Sequence, residues 1–229
     1  FGEGDSAWHF AIGDHISSTD KATWSLPYYI ALWYGGFNVQ GAFEPEYPPP
    51  NHANYALMQI LGGERFTPVL IYRAMASFIG AIAVFFIISR LFGILPGFLS
   101  GLGLSFSIRE QLMYLFGQQP TVVSLAITPV TIYAWHKYLT SYYEDGNGGR
   151  RIYLFMAGAL LAAQYLLHIQ GLLGSAVIIA VLTAALAIKF RKLPAAKNNF
   201  KMLALAAVAF AVVTAPFLRI YLGTGGEEL

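Results

Sequence analysis

In a chain of 229 residues, 56% are hydrophobic and only 11% are charged. An ordinary soluble domain carries about 25% charged residues, so a surface this poor in charge does not suit water. A net charge of +2, with no basic patch interleaved with aromatics, speaks against nucleic acid as a partner. The absence of cysteine excludes disulfides, thiolate metal sites and cysteine nucleophiles. Mean hydropathy is +0.55 and aromatics reach 15%, which suits rings placed where lipid meets water.

The chain opens on Phe1, which is not an initiator, and its first residues lack the basic flank and apolar run of a signal peptide. A further hydrophobic helix is expected ahead of it. Residues 1–65 hold 7 of the 12 acidic residues, 3 of the 5 histidines and all but one of the tryptophans. No stretch among them has the roughly 20 apolar residues needed to span about 30 Å of hydrocarbon. They are therefore expected to form an extracytoplasmic loop subdomain with amphipathic helices. Apolar blocks follow at 68–90, 92–107, 120–138, 152–169, 171–189 and 201–222. The connection 107–120, half polar and half apolar, reads as a re-entrant or interfacial helix. The fold class expected is an all-α integral membrane protein. Its polytopic helical bundle of about six spans would cover residues 66–222, and 223–229 would begin another extracytoplasmic segment.

Sidedness follows from lysine and arginine. Arg90, Lys137, Arg150, Arg151, Lys189, Arg191, Lys192, Lys197 and Lys201, 9 of the 14 basic residues, fall in one set of loops, which should be cytoplasmic. Of the 12 acids, 10 fall on the other side, with only Glu144 and Asp145 inside. The expected location is the cell membrane, multi-pass, with the long first loop and the reactive side chains outside.

Four stretches carry side chains suited to chemistry. Asp5 stands where a helix N-cap belongs, and Trp8, Ile12 and Ile16 recur at helical spacing, as in an amphipathic interfacial helix. Asp5 and His9, four apart, share a face; the alternative is that Asp5 only caps and His9 stands in water. In the second, Glu44 and Glu46 flank Pro45 beside Tyr47, an arrangement suited to a cation or to sugar hydroxyls. The run Pro48-Pro49-Pro50 after them is expected to forbid helix and fix an extended path, with a rigid solvent turn as the alternative. Third, Arg109 and Glu110 sit at an outer membrane boundary, where a guanidinium holds phosphate or merely snorkels. Fourth, His168 and Gln170 mark the outer end of a span, facing a polar cavity or forming a packing hydrogen bond. Arg73, near the start of the first span, belongs with them. No phosphate-binding glycine loop, His-Glu-x-x-His or Gly-x-Ser-x-Gly motif is present.

The arrangement resembles the GT-C superfamily of membrane glycosyltransferases, in its poorly characterised archaeal and bacterial branch. Gly4-Asp5-x-x-Trp8-His9 is similar to the acidic opening of that family's first outer loop. Tyr47-Pro48-Pro49 resembles its Tyr-Pro-Pro element, and Gly117-Gln118-Gln119-Pro120 its Gly-x-x-Pro span start. The Trp-Trp-Asp element of oligosaccharyltransferase catalytic subunits is absent. The resemblance implies transfer of a sugar from a polyprenyl-phosphate-linked donor, at the bilayer, to an extracytoplasmic acceptor. It implies Asp5 as general base, with His9, Glu46, Tyr47, Arg73, Arg109, Glu110 and His168 binding substrate. A divalent cation, Mg or Mn, is used by some members; here Glu110 is the one further outer-loop acid available for it. Gly97, Gly101 and Gly103 would allow close packing beside a groove for the carrier tail. The competing expectation is a non-catalytic membrane protein, either a transporter or flippase or a subunit of a larger complex.

Overall fold

The computed structural model describes residues 6–18, 49–64, 66–108, 112–113, 118–144, 150–191, 204, 207–209, 211–212 and 215. Among the described residues every regular element is helical and no strand occurs. The helices are α1 (Ser6–Ser18), α2 (Pro49–Gly62), α3 (Thr67–Phe92), α4 (Ile94–Ser105), α5 (Gln119–Glu144), α6 (Arg151–Leu167) and α7 (Ile169–Phe190).

Helices α3 and α7, of 26 and 22 residues, are long and apolar enough to cross a membrane. At 1.5 Å per residue they measure about 39 and 33 Å, against about 30 Å of hydrocarbon. Only 17% of the most apolar stretch of either helix is buried within the protein. Phe78, Ile79 and Phe86 on α3, and Leu173, Val177 and Val181 on α7, are exposed. The expected blocks at 92–107 and 152–169 become the shorter helices α4 and α6, of 12 and 17 residues, about 18 and 26 Å long. Helix α5 has the length, but Thr121, Ser124 and Thr131 are buried along it. Most of 201–222, and much of 107–120, lies outside the described residues.

Helix α5 is the hub, packing against α3, α6 and α7. Its inner polar side chains are satisfied by α6. Gln164, fully buried, donates to Thr128 Oγ1 at 2.8 Å and to Ser124 O at 3.2 Å, and Ser124 Oγ donates to Gln164 O at 3.0 Å. Helices α3 and α4 form a hairpin turned at Gly93, whose φ of 100° suits glycine. Gly97 and Gly101 on α4 bring it onto the α3 backbone at Phe85 and Ala81, the close approach that a Gly-x-x-x-Gly spacing allows. Gly103 has open space around its Cβ direction and takes no part.

The bundle has two distinct ends. At one, Tyr138 and Tyr142 of α5, Leu154 of α6 and Leu186 of α7 form a core cluster, and Trp135 Nε1 donates to Thr183 Oγ1 at 2.9 Å. That end brings together the C-terminal turns of α5 and α7 with the N-terminus of α6, and with them Lys137, Lys189, Arg150, Arg151 and Arg191. At the other end, Ala76 of α3, Val123 of α5 and Leu167 of α6 pack together.

Helices α1 and α2 lie at this second end: α1 packs on α2, and α2 on α3 and α6. Phe10, Tyr55 and Val69, one from each of α1, α2 and α3, share a cluster. Gly13 allows the approach, since a Cβ there would stand 2.9 Å from Tyr55 Cβ. One expectation is corrected here. The triple proline does not forbid helix, because Pro49 and Pro50 are the first residues of α2. First-turn N–H groups have no intrahelical partner, so proline loses nothing there and its fixed φ suits the helix.

Candidate functional site

The site is built where α1, α2, α3 and the α6–α7 junction meet. On α2 the buried positions are Asn51, His52, Tyr55, Ala56 and Gln59, a stripe at helical spacing facing the bundle and α1. On α1 the buried positions include His9 and Phe10. These two faces bring His9 Nδ1 to 2.8 Å from His52 Nε2, with ring centroids 5.0 Å apart. His9 is 0% exposed, so the alternative that it stands in water is overturned.

Burial pushes the His9 imidazole well below its ordinary proton affinity, and His52, His168 and Arg73 lower it further in that order. Burial alone pushes His52 down to about 3. Both rings are therefore neutral at physiological pH, one nitrogen of the contact carrying the hydrogen and the other accepting it.

Arg73 enters from the second turn of α3 and is 2% exposed, among the largest fully buried side chains. Its guanidinium keeps its charge at any accessible pH. Next to it on α3, Tyr72 accepts a hydrogen bond at 3.1 Å from Asn54 Nδ2 and meets Tyr55 edge to face at 5.9 Å. These rings wall the site on the α2–α3 side.

His168 interrupts the helix between α6 and α7 in an extended conformation. Its Nδ1 accepts from the Gln170 backbone N–H at 3.3 Å, capping α7, and lies 3.3 Å from Thr121 Oγ1. The packing role is the one these bonds show: Nδ1 does structural work, which in the neutral ring puts the hydrogen on Nε2. The N-termini of α3, α5 and α7 are all at this end, and their partial positive charges add to that of Arg73.

Of the residues expected from sequence, His9, Arg73 and His168 are thus drawn together from three segments. Asp5, Glu46, Tyr47, Arg109 and Glu110 lie outside the described residues. Among the described residues no group of three His, Asp or Glu is placed to hold a metal ion. His52 was missed. Its signal was the polar and aromatic stripe 51, 52, 55 and 59, hidden by reading the prolines as a barrier to helix. The end-on cluster suits an anion: a permanent cation and helix N-termini stand in a setting of low dielectric, beside imidazoles that burial keeps neutral.

No protein-family model, curated protein or solved structure matches the chain. The functional reading therefore rests on the site itself.

Proposed function

We propose that the chain is a membrane glycosyltransferase of GT-C type, moving a sugar from a polyprenyl-phosphate-linked donor to an acceptor at the extracytoplasmic face. The observation that carries this reading is the buried Arg73 with His9, His52 and His168 at one end of an apolar bundle. A lipid-linked phosphate keeps its charge at headgroup depth, and a permanent cation at a bundle end matches that depth. The opposite end, with Arg90, Lys137, Arg150, Arg151, Lys189 and Arg191, is the cytoplasmic one by the distribution of basic residues.

In this reading the chain crosses the membrane about six times, and α1 and α2 lie over the outer end. The acceptor hydroxyl oxygen attacks the anomeric carbon as the bond from that carbon to the phosphate oxygen breaks. Asp5 takes the hydroxyl proton, and the polyprenyl phosphate leaves with the bonding pair. Arg73 and the helix N-termini offset the charge that grows on the leaving oxygen.

Proteoliposomes of the purified protein, given polyprenyl-phosphate-linked radiolabelled hexoses and a membrane extract as acceptor source, test the proposal. Label should leave the carrier faster than in protein-free vesicles. Carriers that stay intact for every hexose, with and without Mg or Mn, would overturn it.

A further inference from the structure

Asn51 stands apart from the groups used so far. It is the third residue of α2, next to His52 and one turn before Tyr55 on the buried stripe. Its side chain is 0% exposed, yet neither its amide nitrogen nor its amide oxygen has a hydrogen-bond partner among the described residues. Buried side-chain amides in folded proteins are normally paired, and an exception calls for a cause. Nearby, Asn54 is bonded to Tyr72 and His9 Nδ1 to His52.

The chemistry of the amide narrows what would satisfy it. A carboxamide offers a donor and an acceptor side by side. A phosphate diester offers acceptors alone and would leave Oδ1 unmet. A hydroxyl, or two neighbouring hydroxyls, gives and takes at once. The place fits as well: Pro49 and Pro50 contribute no N–H to the first turn of α2, so Asn51 and His52 carry the remaining backbone donors at that helix end. Arg73 supplies the positive charge from α3, and Asn51, next to His52 on α2, supplies a neutral two-way contact.

We infer that Asn51 is the residue that reads the sugar of the donor, its amide pairing with ring hydroxyls while the Arg73 end of the site takes the phosphate. This rests on the transferase reading and adds a specificity-determining residue to it.

Binding can be measured on the full chain in nanodiscs, with farnesyl phosphate as one probe and its glucosyl, mannosyl and N-acetylglucosaminyl phosphodiesters as the others. Wild type should bind at least one glycosylated probe about tenfold more tightly than farnesyl phosphate. Asn51→Leu, which keeps the volume without the amide, should bind that probe and farnesyl phosphate equally, with farnesyl phosphate affinity unchanged. Asn51→Ala should do the same, should the leucine variant fail to fold. Wild type that binds all four probes equally would overturn sugar reading by this site and leave the phosphate site standing. A variant that keeps the wild-type preference would overturn the role of Asn51. Wild type that binds none of the probes would overturn this inference and the transferase reading together.

Discussion

His9 and His52, separated by 43 residues, meet through a single buried nitrogen–nitrogen contact of 2.8 Å that ties α1 to α2. The contact needs one hydrogen between two lone pairs, so it is lost once both facing nitrogens carry a proton. Around it stand Arg73 and Tyr72 from α3, Tyr55 from α2 and His168 from the α6–α7 junction. Three of these neighbours are neutral and one is a permanent cation, so further positive charge on the pair meets repulsion.

This sets a pH dependence with a definite sign. Both folded-state proton affinities lie below the ordinary histidine value of 6.5, His52 at about 3. The unfolded chain therefore takes up protons first as pH falls. The contribution of His52 is full above pH 6.5 and is lost progressively between 6.5 and about 3, at up to about 1.4 kcal/mol per pH unit, and His9 acts in the same direction. Melting in detergent at pH 7.5 and pH 5 should show a clear fall in Tm. His52→Asn should start lower and lose less between the two conditions. Equal losses in variant and wild type would locate the acid sensitivity elsewhere.

The α3–α4 hairpin separates glycines that pack from glycines that do not. A Cβ on Gly97 would stand 2.7 Å from Phe85 O and 2.8 Å from Ser89 N and would collide with Ser89 Oγ, whereas one on Gly103 meets nothing within 4 Å. Backbone cannot yield as a side-chain tip can, so Gly97→Ala should destabilise by about 1–3 kcal/mol, the range for overpacking. Gly103→Ala should be neutral or stabilising by up to about 1 kcal/mol, from helix propensity. Thermal melts of the two single variants give the comparison.

Sidedness is open to direct labelling, because the chain has no cysteine. Gln118 is exposed at the end of the bundle that holds His168, and Asn198 follows the basic C-terminal turn of α7. Asn51 is unsuitable, being buried. In intact cells an impermeant maleimide should label Gln118→Cys and spare Asn198→Cys until the membrane is opened. The reverse pattern would invert the orientation.

Much of the helical layout was legible in the sequence, because apolar runs bounded by Gly, Pro and charge mark helix ends directly. The blocks beginning near 68, 120, 152 and 171 open within two residues of α3, α5, α6 and α7. That Lys137, Arg150 and Lys189 gather at one end of the bundle was legible too, since antiparallel helices collect alternate loops. Two things were hidden. Pro49 and Pro50 were read for what proline breaks and not for where it is tolerated, which concealed α2 and its buried stripe. The His9–His52 contact joins residues 43 apart, and no local pattern specifies a pairing of that range. Arg73 was found because a charge one turn or so inside an apolar run is conspicuous by its expense.

The chemistry is best separated by two substitutions that act on different steps. Asp5, just ahead of α1, is assigned to take the acceptor proton, a role that matters only as the new bond forms. Asp5→Asn preserves size and much of the hydrogen bonding but removes basicity. Turnover should fall by about 10²-fold or more, the usual scale for loss of a general base, with donor binding largely retained. Arg73 is assigned to the phosphate, which is charged in the bound donor and more so as it leaves. Arg73→Lys keeps the charge but loses the planar fork, and should weaken donor binding and turnover together. Burial makes Arg73→Ala a risk to folding, so the lysine variant is the informative one, with its melting temperature measured alongside. Wild-type turnover in Asp5→Asn would remove Asp5 from the mechanism. A turnover loss in Arg73→Lys with donor affinity intact would move the phosphate to another part of the outer end.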